Sequence, residues 1–145
     1  IANQQLKKIN TLKKNRNFNR FQIIKLFKMY KRNNEKLIFI DDAKNVECNW
    51  FGIPILLAGK FKKSKKNIIQ MIEKKGIETR PIISGNILNQ PAINLFKLNK
   101  KKTILKNCQD VEDRGFFIGI NSVKTDERML KFVANSLNSV LDKFK

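Results

Sequence analysis

The sequence predicts an α/β fold, a small mixed sheet with helices packed on one face, on three observations. The chain has 145 residues, the size of one compact domain. Apolar residues make up 41% of it, enough to build a core. Apolar runs of strand length alternate with amphipathic stretches of helical period, in the order helix, strands, helix, strand, helix, strand, helix.

Ile1 to Tyr30 reads as one long helix. Leu6, Ile9, Phe18, Phe21, Ile24 and Phe27 recur at helical spacings, and the polar segment Lys13–Asn17 interrupts the stripe. The chain opens on Ile1 with no capping residue ahead of it, so it is expected to be a piece of a longer polypeptide. Polar residues Asn33–Lys36 break the helix, and Leu37–Ile40 fits a buried strand. Asp41–Asn45 reads as a turn. Val46–Leu57 is rich in β-formers but contains Gly52 and Pro54, which predicts an edge or bulged strand because proline cannot donate to a central ladder.

Ser64 is the expected N-cap of a helix whose Ile68, Ile69 and Ile72 share a face and which Lys74, Lys75 and Gly76 close. Ile77–Ile83 reads as a strand running into the loop Ser84–Pro91. Thr103–Arg114 is a short helix stopped by Gly115, and Phe116–Ile120 is the next strand. Thr125 is the expected cap of a last helix, with Leu130, Val133, Leu137, Val140, Leu141 and Phe144 as its buried stripe.

Composition narrows the chemistry. The net charge is +19, yet 25 Lys, 18 Asn and 19 Ile make up 62 of the 145 residues, the amino acids with the most A- and T-rich codons. Lys outnumbers Arg 25 to 6, whereas recognition of phosphate or base edges favours the planar guanidinium. The Lys60–Lys66 and Lys97–Lys102 clusters therefore read as solvated loops or helix ends. Histidine is absent, which excludes imidazole bases and histidine metal sites. Cys48 and Cys108 lack metal-ligand spacing and are expected to be buried, inert thiols. Asp41–Asp42 lacks further converging carboxylates and reads as turn chemistry. The apolar runs Leu37–Ile40 and Phe51–Ala58 are far too short to span a bilayer, and a cytoplasmic location without membrane attachment is expected.

The informative stretch is Gly76 to Ala92. A strand delivers Arg80 and Pro81 to a rim, and a loop then offers Gly85, Asn86, Asn89, Gln90 and Pro91. Amide side chains both donate and accept, which suits hydroxyl-rich ligands, and a guanidinium adds phosphate recognition. A sugar phosphate combines both needs. An ordinary surface loop is the plain alternative.

This segment resembles the strand and loop in the C-terminal domain of the DegT/StrS family of sugar aminotransferases. Gln5–Ile9 with Arg16 is similar to that family's interdomain helix, and Trp50–Ile55 to its aromatic-Phe-Pro strand. Arg114–Gly119, followed by Thr125–Glu127, is similar to its closing strand and helix. The resemblance spans almost the whole chain in order. It implies the small C-terminal domain of the fold-type-I pyridoxal-phosphate transferase architecture, with residues 1–33 as interdomain helix and 34–145 as small domain.

The resemblance further implies amino transfer to a nucleotide-linked keto-deoxysugar in surface polysaccharide (LPS/O-antigen) biosynthesis. Pyridoxal 5'-phosphate or pyridoxamine 5'-phosphate would be the cofactor, glutamate the expected donor, and the complete enzyme a homodimer. The Schiff-base lysine region is not in this sequence, so no catalytic residue is assigned and this piece alone is expected to be inactive. Arg80, Asn86, Gln90 and Trp50 are the expected substrate-binding residues. Ser84–Asn86 stands where many aminotransferases carry histidine, and Asn89 where the related pyridoxamine-phosphate-dependent 3-dehydratases often carry arginine. That 3-dehydratase branch is the first alternative. A basic nucleic-acid-binding module is the second, disfavoured because most phenylalanines fall on apolar stripes instead of a stacking platform.

Overall fold

The computed structural model describes residues 2–96 and 105–144. The Lys97–Lys102 cluster and the expected helix start at Thr103 lie outside the described residues.

The first helix is two helices, α1 (Ala2–Leu6) and α2 (Ile9–Lys28), with the break at Lys7–Lys8 and none at Lys13–Asn17. Of the predicted stripe, Ile24 and Phe27 are buried and Phe18 packs partly buried against the core, whereas Leu6, Ile9 and Phe21 are exposed; Ile23, outside the stripe, is buried too. Strand β1 (Leu37–Phe39) precedes β2 (Gly52–Leu57), and a 3-10 turn over Gly59–Ser64 leads into α3 (Lys65–Lys74). Ser64 precedes α3 as expected but makes no side-chain cap bond, because the incoming 3-10 turn holds it in helical geometry. Gly76, at φ +83°, closes α3 in the left-handed region and donates to Glu73 O at 2.8 Å.

The predicted strand Ile77–Ile83 shrinks to β3 (Thr79–Arg80). After the loop come α4 (Pro91–Leu95), α5 (Lys106–Arg114), β4 (Gly115–Gly119) and α6 (Glu127–Leu141). The cap of α6 is Asp126, one residue later than Thr125; its carboxylate accepts from Met129 N–H at 2.8 Å.

The sheet has the order β1-β2-β4-β3 and is antiparallel throughout, not mixed. Side chains of Ile53, Ile55, Leu57, Phe116 and Ile118 enter one core with residues of α2, α3 and α6. Helix α5 lies against the other face: a Cβ on Gly115 would stand 2.4 Å from Val111 O and 3.1 Å from Leu56. Gly115 N–H donates to that Val111 carbonyl, so glycine is what the tight junction of α5 with β4 accommodates.

Strand β2 is interior, not an edge, although it holds Pro54. Its register explains this. Ala58 N–H donates to Lys36 O at 2.9 Å and Ile120 N–H to Phe51 O at 3.2 Å, so even positions of β2 turn their main-chain groups to β1 and odd ones to β4. The missing N–H of Pro54 thus faces the β1 side, one position past the last β1 pair, Phe39 with Ile55. Ile40 O, left without that donor, accepts from the Arg20 guanidinium.

Three buried asparagines tie the helical layer together. Asn19 donates to Asn121 O (3.1 Å) and Val123 O (2.8 Å) and accepts from Thr125 N–H (3.0 Å), fastening the β4–α6 connection to α2. Asn33 donates to Asn138 Oδ1 (3.0 Å) and Asp142 Oδ1 (2.9 Å), and Asn138 donates to Phe27 O (3.3 Å). The three side chains are themselves buried, and these bonds pair their polar groups, Asn33 Oδ1 excepted.

Candidate functional site

Strand β3 places Arg80 opposite Phe117 of β4, where its Nε and Nη2 donate to Glu78 Oε1 at 2.9 and 2.7 Å. The chain then turns sharply, with Ile83 at φ +47° and Gly85 at φ +61°. Asn86 Oδ1 accepts from Leu88 N–H at 3.1 Å, starting a 3-10 turn over Ile87–Asn89, and Gln90 Nε2 donates back to Ser84 O at 2.6 Å. The loop is closed on itself by the amides the sequence singled out.

Helix α5 then holds that loop. Glu112 Oε2 accepts from Asn86 N–H (2.7 Å) and Asn89 Nδ2 (3.1 Å). Gln109 Oε1 accepts from Asn86 Nδ2 (3.0 Å) and Asn89 Nδ2 (2.9 Å). A Cβ on Gly85 would sit 2.9 Å from the Glu112 side chain, so glycine serves there for both φ and space. The clamp is braced in turn. Gln109 Nε2 donates to Asp113 Oδ1 at 2.9 Å, Lys62 pairs with Asp113, and Lys65 Nζ donates to Glu112 O at 2.6 Å. The Lys62 bond, then that of Gln109, holds the Asp113 carboxyl below its usual range.

The four expected substrate-binding residues do not share one cavity. Arg80 lines a cleft of about 480 Å³ with Phe51, Phe117, Asn121 and Phe132. Gln90 lines another of about 340 Å³ with Lys65, Ile83 and Ser84. Asn86 is buried between loop and α5. Trp50 stands apart: its Nε1 donates to Asp42 Oδ1 at 2.7 Å and the Arg20 guanidinium lies 4.7 Å from its ring centre. Glu112 and Gln109 were missed by sequence reasoning, because nothing local links α5 to a loop more than twenty positions upstream.

Neither cysteine is buried as expected. Cys108 is exposed on α5 and Cys48 is half-buried. Desolvation, then its bond with Asp42, raises the Cys48 thiol.

Among the described lysines, the two whose amines are shifted do not fit a cofactor-bearing role. Both amines are depressed chiefly by desolvation, and both are committed to main-chain carbonyls. Lys36 Nζ donates to Leu141 O (2.9 Å) and Phe144 O (2.7 Å), and Lys65 to Glu112 O. These are structural ties across helix ends. No chemical step through a pyridoxal group is therefore derived for this chain. Among the described residues no group of three or more Cys, Asp and Glu is placed to hold a metal, and no helix is long and apolar enough to cross a membrane.

No family model matches the sequence. The dTDP-4-dehydro-2,6-dideoxy-D-glucose 3-dehydratase of Saccharopolyspora spinosa is 28% identical over 89 residues, 61% of this chain and 19% of that protein. The GDP-4-keto-6-deoxy-D-mannose 3-dehydratase of Escherichia coli O55:H7 is 25% identical over 79 residues, 54% of this chain and 20% of that protein. Among solved structures, Helicobacter pylori PseC, an aminotransferase involved in the biosynthesis of pseudoaminic acid, matches with a TM-score of 0.77 at 21% identity, covering 97% of this chain and 36% of that one. The E. coli GDP-4-keto-6-deoxy-D-mannose-3-dehydratase with bound hydrated PLP matches with a TM-score of 0.72 at 22% identity, covering 95% and 33%. The chain spans about a fifth of the curated relatives' length, and its fold is that of about a third of these DegT/StrS-type sugar enzymes.

Proposed function

We propose that this chain forms the small C-terminal lobe of a PLP-dependent enzyme acting on a nucleotide-linked keto-deoxysugar. Residues 1–33 would be the interdomain helix and 34–145 the lobe. The reading rests on the clamped loop Ser84–Pro91, a rigid polar rim on a fold shared with sugar-modifying enzymes. Pyridoxal 5'-phosphate, or its pyridoxamine form, would be held by residues outside this sequence and would supply the electron sink. This chain's residues would bind and orient substrate. Arg80 would offer a guanidinium to an anionic group and Gln90 an amide to sugar hydroxyls, while Trp50, which stands apart from both, would serve as a packing partner against Arg20.

Amino transfer from glutamate, in a homodimer, is the first activity this reading entails. Deoxygenation at C3 is the second, favoured because the curated relatives named above are 3-dehydratases. A role in surface polysaccharide assembly, in the cytoplasm, follows from either. The test uses the native gene product. Arg80→Ala and Asn86→Ala are expected to weaken use of the nucleotide sugar more than retention of PLP, followed by its visible absorbance. Variants that lose PLP yet bind the nucleotide sugar normally would refute the assignment.

A further inference from the structure

The first 34 residues hold ten Lys and Arg and no Asp or Glu, whereas in the remaining 111 twenty-one cations are met by twelve acids. Codon bias acts along the whole chain and does not explain acids missing from one element. Helix α2 sorts its cations by type. Its guanidinia turn toward the protein: Arg16 and Arg20 are half-buried, and Arg20 pairs with Asp41 and donates to Ile40 O. Its outward cations are lysines. Lys14, Lys25 and Lys28 are exposed and, among the described residues, make no ion pair. With Phe21 they follow spacings of seven, four and three, which is one stripe along about 21 Å of helix. Phe21 is 61% and Met29 69% exposed, and both border a cleft of about 480 Å³ with Ile24, Lys25 and Lys28. Tyr30 and Lys31, also exposed, follow directly. The acid at this cleft, Asp41, is paired with Arg20.

We propose that this face of α2 docks on an anionic lipid bilayer, lying on it without spanning it: Lys14, Lys25 and Lys28 meet the headgroup phosphates, and Phe21 and Met29 enter the interface between them. A straight row of ammonium groups suits a flat, diffusely charged surface, where each lysine adds attraction. Exposed apolar side chains among those lysines gain by leaving water for the acyl boundary. A nucleic acid would be met better by guanidinium forks, and those of α2 face inward. The lack of an apolar span underlies the expectation of no membrane attachment, but peripheral docking needs no span. The inference is independent of the enzymatic reading, and either can fail without the other.

The test floats the native gene product with vesicles of phosphatidylcholine, alone or with about 30% phosphatidylglycerol, at about 0.1 M salt. Binding to the anionic vesicles is expected to exceed binding to the neutral ones by at least about tenfold. It should be lost at about 1 M salt, where the Debye length falls to about 3 Å. Lys25→Gln with Lys28→Gln should weaken it about thirtyfold, and Phe21→Ser about tenfold. Lys63→Gln with Lys66→Gln removes the same charge from another exposed surface and should change it less than about threefold. All these side chains are exposed, so the variants should keep native circular dichroism, which separates lost docking from lost folding. Equal losses in the two lysine pairs would overturn the proposal in favour of diffuse attraction to a +19 chain. Equal or absent binding to the two vesicle types would overturn it too. So would a single-stranded oligonucleotide that binds through Lys25 and Lys28 while vesicles do not, an outcome that would make the partner a nucleic acid.

Discussion

Replacing Glu112 by alanine should free the Ser84–Pro91 loop without unfolding the domain. Its carboxylate accepts from Asn86 N–H at 2.7 Å and Asn89 Nδ2 at 3.1 Å, the first from a buried residue and the second from an exposed one. A hydrogen bond to a charged group contributes roughly 1.5–3 kcal/mol, and an exposed partner much less, so the loop should lose about 2–3 kcal/mol. At tenfold per about 1.4 kcal/mol, hydrogen exchange of the Asn86 amide should accelerate about 30- to 150-fold. Amides of Leu137 and Phe116, deep in the core, should change far less. Glu112→Gln keeps an acceptor of the same reach and should lose under about 1 kcal/mol. An alanine variant with wild-type exchange at Asn86 would refute the clamp. Core amides accelerating in parallel would show that α5 holds the domain, not the loop.

Asn19→Ala removes three bonds at a side chain only 1% exposed and orphans the Thr125 N–H, so urea denaturation should show a loss of about 2–4 kcal/mol. Asn19→Asp should not rescue it, since a carboxylate would face the Asn121 and Val123 carbonyls. The Arg32 bond, then that of Asn33, holds the Asp142 carboxyl below its ordinary range. Its contribution is therefore fully present above the unfolded carboxyl value of about 3.9 and fades as pH falls through the lower folded value. Melting temperature measured from pH 5 to pH 2 should fall less steeply in Asp142→Asn than in wild type.

The sequence carried its message unevenly, for physical reasons. Periodicity placed α3 and α6 because their stripes meet the core along their length: Ile68, Ile72, Leu130, Leu137 and Val140 are all buried. It over-read the first helix, where Phe21 continues the spacing but is exposed to solvent. Pro54 argued for an edge because its neighbour's register is invisible in one dimension. In the fold its absent donor meets the end of β1, and an interior position loses nothing. The loop after Arg80 was legible from glycine and amide content. Its support from Gln109 and Glu112 was not, since a clamp between distant segments leaves no local pattern. Asn19, Asn33 and Asn138 hid among 18 asparagines whose abundance pointed to codon bias.

The most direct test of the central claim is the reaction of the native gene product, supplied with PLP, glutamate and a nucleotide-linked 4-keto-6-deoxyhexose, followed by mass spectrometry of the sugar. The account predicts a sugar whose carbonyl oxygen has become an amine, or one that has lost a hydroxyl. A sugar recovered unchanged, from protein that has retained PLP, would contradict it.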